Sequence, residues 1–187
     1  YERLGGTRDD AAGEAFDKVG KMLGLPYPGG VEIDRLARDG DPEAIDFPRP
    51  MYTTKNFDFS FAGLKTAVYR YLSDEGMPDE EHLPDVCASF QQAAVDCLVM
   101  KTVEAATQRG IGQIVLSGGV AANSRLREEM RAAVDERGFE LFVAPRELCT
   151  DNAAMLGPIA EHYLQESGQE GFGGHRIRAE SNVRLGS

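Results

Sequence analysis

Apolar residues recur at helical spacing over much of this chain, and two short apolar runs interrupt that pattern. Ala12, Phe16, Val19 and Leu23 form the first stripe and stop at Gly24, with Thr7 and Asp10 ahead of them as a capping pattern, so the spacing predicts a helix. Its other face carries Asp10, Glu14, Asp17 and Lys21, which by itself is a solvated face. Leu25-Pro26-Tyr27-Pro28-Gly29-Gly30 reads as a rigid turn, because two prolines fix φ while the glycine pair permits close backbone approach. Val31 to Arg38 then reads as a short helix, and residues 39–56, with Pro42, Pro48 and Pro50, as a long loop.

Phe57, Phe59 and Phe61 alternate with Asp58 and Ser60, a strand pattern with one buried face, and lead into a helix from Gly63 to about Leu72. After an acidic connection at 74–85, Pro84 to Arg109 reads as one long helix ended by Gly110. Its stripe runs through Val86, Phe90, Ala94 and Cys97 and continues at Met100 or Lys101. Ile114-Val115-Leu116 is a short strand entering Ser117 to Asn123, and Leu126, Met130 and Val134 mark a helix ended by Gly138. Leu141-Phe142-Val143 is a second strand, and Thr150 or Asp151 caps a last helix through about Leu164. Strands alternating with helices predict an α/β fold with a parallel or mixed sheet flanked by helices.

The length of 187 residues suits one packed core, and 42% hydrophobic with 27% charged residues is ordinary globular usage. A net charge of −11 argues against a broad electrostatic grip on nucleic acid or anionic lipid, so any RNA contact is expected to be local. Arg176, Arg178 and Arg184 could help, but they fall in a Gly-rich tail, 167–187, expected to be flexible. No apolar run approaches the ~20 residues that span a bilayer, so no membrane association is expected. Cys87 and Cys97 would lie roughly 15 Å apart on one helix, too far for a disulfide, and with Cys149 the count is odd. A cytoplasmic location is the expectation. Because the chain starts at Tyr1 and structured residues follow almost at once, it also reads as a piece of a longer protein.

Candidate chemistry gathers at three places. A strand ending in Gly118-Gly119 and feeding a helix is the arrangement by which backbone N–H groups meet a phosphate or sugar; a tight turn with no ligand fits the same residues. Asn123 is a helix cap in one reading and a ligand contact in the other. Asp151 is either a capping residue or a metal ligand, and Asp17 either a solvated side chain or part of a site closed by the turn at 28–30. His82, His162 and His175 show neither ligand spacing nor a Cys companion, and no Ser/His/Asp or Cys/His arrangement is evident.

Taken as strings, DDAAGEAFDK (9–18), YPGG (27–30), FPRP (47–50), FSFAGLKTAV (59–68), ASFQ (88–91), SGGVAAN (117–123) and CTDNAAM (149–155) resemble the second half of the tRNA N6-adenosine threonylcarbamoyltransferases. This family was once described as sialoglycoprotein endopeptidases. The resemblance runs in order to about residue 165; Ala62 stands where the family more often has Ser.

The resemblance implies a fold of the actin, Hsp70 and sugar-kinase type, with residues 1–166 forming the C-terminal nucleotide-binding lobe and the N-terminal lobe absent. It implies transfer of a threonylcarbamoyl group from threonylcarbamoyl-AMP to N6 of the adenosine 3′ of the anticodon in tRNA. Asp17, Gly30 and Asn123 match residues that contact the adenylate, with Asp34, Gly118 and Gly119 as neighbours. Asp151 matches an aspartate that helps hold one divalent metal, iron or zinc, whose paired histidines would lie in the absent half. ATP or ADP, tRNA and other subunits of the threonylcarbamoyladenosine machinery are the implied partners. The chain alone is expected to be inactive, to retain no metal and to self-associate through uncovered apolar surface. A non-catalytic scaffold paralogue and an ATP-hydrolysing or phosphoryl-transferring relative on the same fold are the alternatives.

Overall fold

The computed structural model describes residues 2–167, so the tail after Ser167, with its three arginines and His175, lies outside the described residues. The first helix, α1 (Ala12–Met22), buries Ala15, Phe16 and Val19 as the stripe requires. Its cap differs from expectation. Ala11 occupies the N-cap and has no side-chain oxygen, so only Glu14 contributes, accepting from the Ala11 amide at 3.4 Å. The Thr7 hydroxyl donates instead to the Asp10 carbonyl at 2.8 Å.

The second helix, α2 (Gly29–Leu36), starts inside the expected Pro-Gly-Gly turn, and a 3-10 turn over Ala37–Asp39 extends it. The glycines serve helix crossing rather than turn geometry. A Cβ on Gly20 would lie 2.6 Å from the Gly29 Cα, so the backbones of α1 and α2 touch where a side chain would part them.

The Phe57–Phe61 strand does not form a ladder. Phe59 makes one parallel bridge to Thr7, held by Phe59 N to the Gly6 carbonyl and Arg8 N to the Phe59 carbonyl, both at 2.9 Å. With so short a partner the pairing ends there, and the ring of Phe61 is buried beside α3 (Ala62–Glu75). The start of α3 is capped from 52 residues away: Asp9 Oδ1 accepts from Phe61 N at 2.8 Å and, at 3.1 Å, from Ala62 N. Partial loss of hydration raises the Asp9 pKa although the residue is exposed, but these amides and the Ser60 hydroxyl outweigh it and hold the carboxyl below its ordinary value.

The long helix α4 (Leu83–Arg109) has Pro84 in its first turn and ends at Gly110, whose φ of 64° is left-handed. It runs through two apolar clusters, one around Phe16, Ile33, Leu64 and Phe90, the other around Val95, Val103, Met130 and Val134. Lys101, not Met100, continues the buried stripe. It is 1% exposed, and its Nζ donates to the Thr54 carbonyl at 2.7 Å, the Asn56 carbonyl at 2.6 Å and the Thr54 hydroxyl at 3.0 Å. The loop at 40–56 is thereby held to the helix, helped by Arg49 bound to Asp96 at 3.0 Å.

Beyond α4, β1 (Gln113–Leu116), α5 (Ser124–Asp135) and β2 (Glu140–Val143) form a β-α-β unit. Among the described residues the sheet is two-stranded and parallel rather than mixed, in register from Gln113↔Glu140 to Leu116↔Val143. One face packs Ile114 and Leu141 against α5 and α4. On the other, the paired Val115 and Phe142 are exposed. The last helix, α6 (Leu156–Ser167), starts five residues after Asp151, so Asp151 does not cap it. Asn152 instead precedes a 3-10 turn at Ala153–Met155. Leu156, Ile159, Tyr163 and Leu164 of α6 are exposed.

All three cysteines are buried and free. Burial pushes the Cys87 thiol up to about 12 and that of Cys97 to about 11. Among the described residues no helix is long and apolar enough to cross a membrane.

Candidate functional site

Asp17 is half-buried on α1, and its Oδ1 accepts from the Gly30 amide at 3.2 Å. The N-cap of α2 is Pro28, which has no side-chain acceptor, so Asp17 does for α2 what a capping residue would. One helical turn after Gly30, on the same face of α2, Asp34 is buried and its Oδ1 accepts from both Ser124 N at 2.9 Å and Ser124 Oγ at 2.7 Å. The Arg38 guanidinium stands 3.7 Å from the other oxygen.

Asn123 is the N-cap of α5. Its Oδ1 accepts from Leu126 N at 2.9 Å while its Nδ2 donates to Gln91 Oε1 at 2.6 Å. The capping reading of Asn123 therefore holds, and one N–H and one lone pair of its amide have no partner among the described residues. Gly118 has φ 90°, which only glycine adopts without strain, and a Cβ on Gly118 or Gly119 would meet nothing within 4 Å. Gly118 and Gly119 thus present open backbone just past the end of β1.

These segments close a ring. A Cβ on Gly13 would lie 3.3 Å from Val120 Cγ2, which sets the α1 face carrying Gly13 against the glycine turn. Asp17 follows on that face one turn later, about 6 Å along the axis. From Asp17 the path runs through Gly30, Asp34 and Ser124 to Asn123 and back to Val120. Asp17, Gly30, Asp34, Asn123 and the Gly118-Gly119 turn are so placed on adjoining segments. Two cavities border the ring: one of about 530 Å³ lined by Asp17, Gly29 and Tyr27, the other of about 600 Å³ lined by Gln91, Ser124, Arg38 and Arg146. Neither contains both Asp17 and Ser124.

Asp151 is exposed in a bend and lies outside the ring. Beside it Asn152 Nδ2 donates to the Thr150 carbonyl at 2.7 Å, while Asn152 Oδ1 is buried with no partner among the described residues. One carboxylate and one amide oxygen are too few ligands for a divalent ion, and among the described residues no group of three or more His, Cys, Asp or Glu could hold one. The described residues do not by themselves make a metal site.

Sequence reading did not single out Ser124 or Gln91 as partners of Asp34 and Asn123. The available signal was Gln91 itself, a polar residue inside the stretch of α4 that is otherwise continuously apolar or small from Val86 to Val95 save Ser89 and Gln92.

The profile described as tRNA N6-adenosine threonylcarbamoyltransferase matches residues 1–157, more than four-fifths of the chain. The chain belongs to this family. That span contains every member of the ring and Asp151, and ends at the start of α6. Relatives named tRNA N6-adenosine threonylcarbamoyltransferase include one from Geobacter metallireducens, 55% identical over 92% of this chain and 51% of its own length. Another, from Geobacter sulfurreducens, is 55% identical over 90% of this chain and 50% of its own. A third, from Geotalea uraniireducens, is 53% identical over 92% and 50%. The chain therefore spans about half the length of the curated relatives it matches.

Proposed function

We propose that this chain is the adenylate-binding part of a transferase that moves a threonylcarbamoyl group from threonylcarbamoyl-AMP to N6 of the adenosine 3′ of the anticodon in tRNA. The observation that carries the reading is the ring in which Asp17, Gly30, Asp34 and Asn123 lie on segments adjoining the open Gly118-Gly119 turn, in a chain of this family. In this reading the chain is one lobe of an actin, Hsp70 and sugar-kinase type fold. The carboxylate of Asp17 suits ribose hydroxyls, the free N–H and lone pair of Asn123 suit an adenine edge, and the glycine turn lets backbone amides approach the phosphate. Fixing the leaving adenylate in this way orients the carbamoyl carbon for attack by the tRNA amine.

Asp151 is proposed to give one ligand to a divalent metal, iron or zinc, completed by residues beyond this chain. ATP or ADP would bind the same ring. The exposed Val115, Phe142 and α6 side chains suit a covering protein surface, either the rest of a longer protein, another subunit of the modification machinery, or a second copy.

Calorimetry with AMP and transfer assays on tRNA test the reading, with the Geobacter metallireducens relative as the positive control. The expected result is AMP binding by this chain without threonylcarbamoyl transfer. Transfer would be restored when the residues matching the other half of the relative are supplied in trans. No AMP binding by the chain, under conditions where the relative binds, overturns the reading.

A further inference from the structure

Arg127 lies on α5 one turn beyond Asn123, and its guanidinium reaches three separate places. Nε donates to the Ala121 carbonyl at the end of the glycine turn. Nη2 donates to the Ala144 carbonyl, just past β2, at 2.7 Å and to Cys149 Sγ at 3.2 Å. Cys149 is 2% exposed and is the sole buried residue between Pro145 and Ile159; its thiol also points at the Pro145 carbonyl, 3.4 Å away. Thr150 and Asp151 follow directly. Of the other side-chain hydrogen bonds of this stretch, the Cys149 thiol reaches the adjoining Ala144 carbonyl at 3.7 Å and the rest close on the stretch itself, as when Asn152 Nδ2 donates to the Leu148 and Thr150 carbonyls. Among the described residues, Arg127 is therefore the side chain from elsewhere in the lobe that hydrogen-bonds into residues 145–155.

We propose that Arg127 is a positioning residue that makes the placement of the Cys149–Asp151 segment depend on the Gly118–Ala122 turn, so that nucleotide bound at the turn orders the segment presenting Asp151. The proposal rests on the adenylate reading of that turn. A rigid planar fork is what the geometry demands, since two donors at fixed separation serve the Ala121 carbonyl on one side and Ala144 with Cys149 on the other. A lysine could hold one of these acceptors at a time. A ligand that steadies the turn steadies the Ala121 carbonyl, and the fork carries that restraint to Cys149.

Hydrogen–deuterium exchange on the full chain, with and without saturating AMP, tests this in the wild type, Arg127→Met and Arg127→Lys. Without AMP, amides 147–152 should exchange roughly tenfold faster in both variants, as expected for loss of one or two hydrogen bonds that close a local opening, while those of Leu126 to Val134 stay unchanged. With AMP, amides 118–124 should slow in all three proteins, but 147–152 only in the wild type. A purely structural arginine would not move that nucleotide-dependent protection. Wild-type exchange at 147–152 in either variant without AMP overturns the tie itself. An AMP-insensitive wild type overturns the reading of the turn, and with it the transmission, while the ligand-free comparison still decides whether Arg127 holds the segment. If Arg127→Met fails to fold, Arg127→Lys and Cys149→Ala, which removes one arm of the fork, supply the same comparison.

Discussion

The carboxylate of Asp34 receives both the amide and the hydroxyl of Ser124, at 2.9 and 2.7 Å, from 90 residues further along the chain. This pair fastens α2 to the start of α5. With the Asp17 bond to Gly30 on the same face, it fixes the helix that separates the two ends of the candidate site.

Because two bonds meet on one oxygen, the Asp34 and Ser124 side chains should be energetically coupled. A double-mutant cycle with Asp34→Ala and Ser124→Ala, followed by urea unfolding, is expected to give a coupling of about 1–2 kcal/mol. Effects that add within about 0.3–0.5 kcal/mol would show that the hydroxyl bond contributes nothing.

Asn123 and Asp17 should separate stability from binding. Asn123→Ala removes the cap on Leu126 and the partner of a buried Gln91, and is expected to cost about 1–2 kcal/mol of stability. Asp17→Ala loses one half-buried bond and should cost about 0.5–1 kcal/mol. Both should weaken AMP binding by about 1–3 kcal/mol in calorimetry. Affinities unchanged in both variants would remove these residues from the site.

Lys101→Met keeps the length of the stem and removes the ammonium, leaving the Thr54 and Asn56 carbonyls without a donor. The expected loss is about 1–3 kcal/mol in thermal or denaturant unfolding, with faster proteolysis in the 50–57 loop. A variant as stable as the wild type would show that water replaces the ammonium at no cost.

Asp9 gives the fold a defined acid dependence. Its pKa in the folded protein lies below the ordinary value of 3.8, so its contribution to stability is present above that value and disappears as pH falls through the folded one. Asp9→Asn keeps an acceptor but does not titrate. The melting temperature of the wild type should exceed that of Asp9→Asn at pH 6, and the gap should close on acidification from about pH 5 downward. A gap constant with pH would remove Asp9 from the groups that titrate with folding.

Several features were legible in the sequence because their causes are local. The stripe Phe16, Val19 and Leu23 marked α1, and Gly110 marked the end of α4, since helical period and left-handed caps depend only on near neighbours. The strands around Ile114 and Leu141 and the glycine turn between β1 and α5 followed for the same reason, and the strings at 9–18, 117–123 and 149–155 pointed to the family.

Tertiary structure decided what depends on distant partners. Phe57 to Phe61 alternates like a strand, but a ladder needs a neighbour of equal length, and only the segment at 6–8 is there. Lys101 rather than Met100 fills the stripe of α4 because two carbonyls and a hydroxyl wait 45 to 47 residues upstream. Gly29 and Gly30 begin a helix because Gly20 lets α1 come close and Asp17 supplies the missing cap. The first turns of helices and the ends of loops leave backbone groups unpaired, and any side chain that folding brings near can satisfy them. Sequence therefore determined most of the helices, the two strands of the ladder and which residues are chemically able. Asp9 over α3, Asp34 on Ser124 and Arg127 between the turn and Cys149 were settled only when the chain closed on itself.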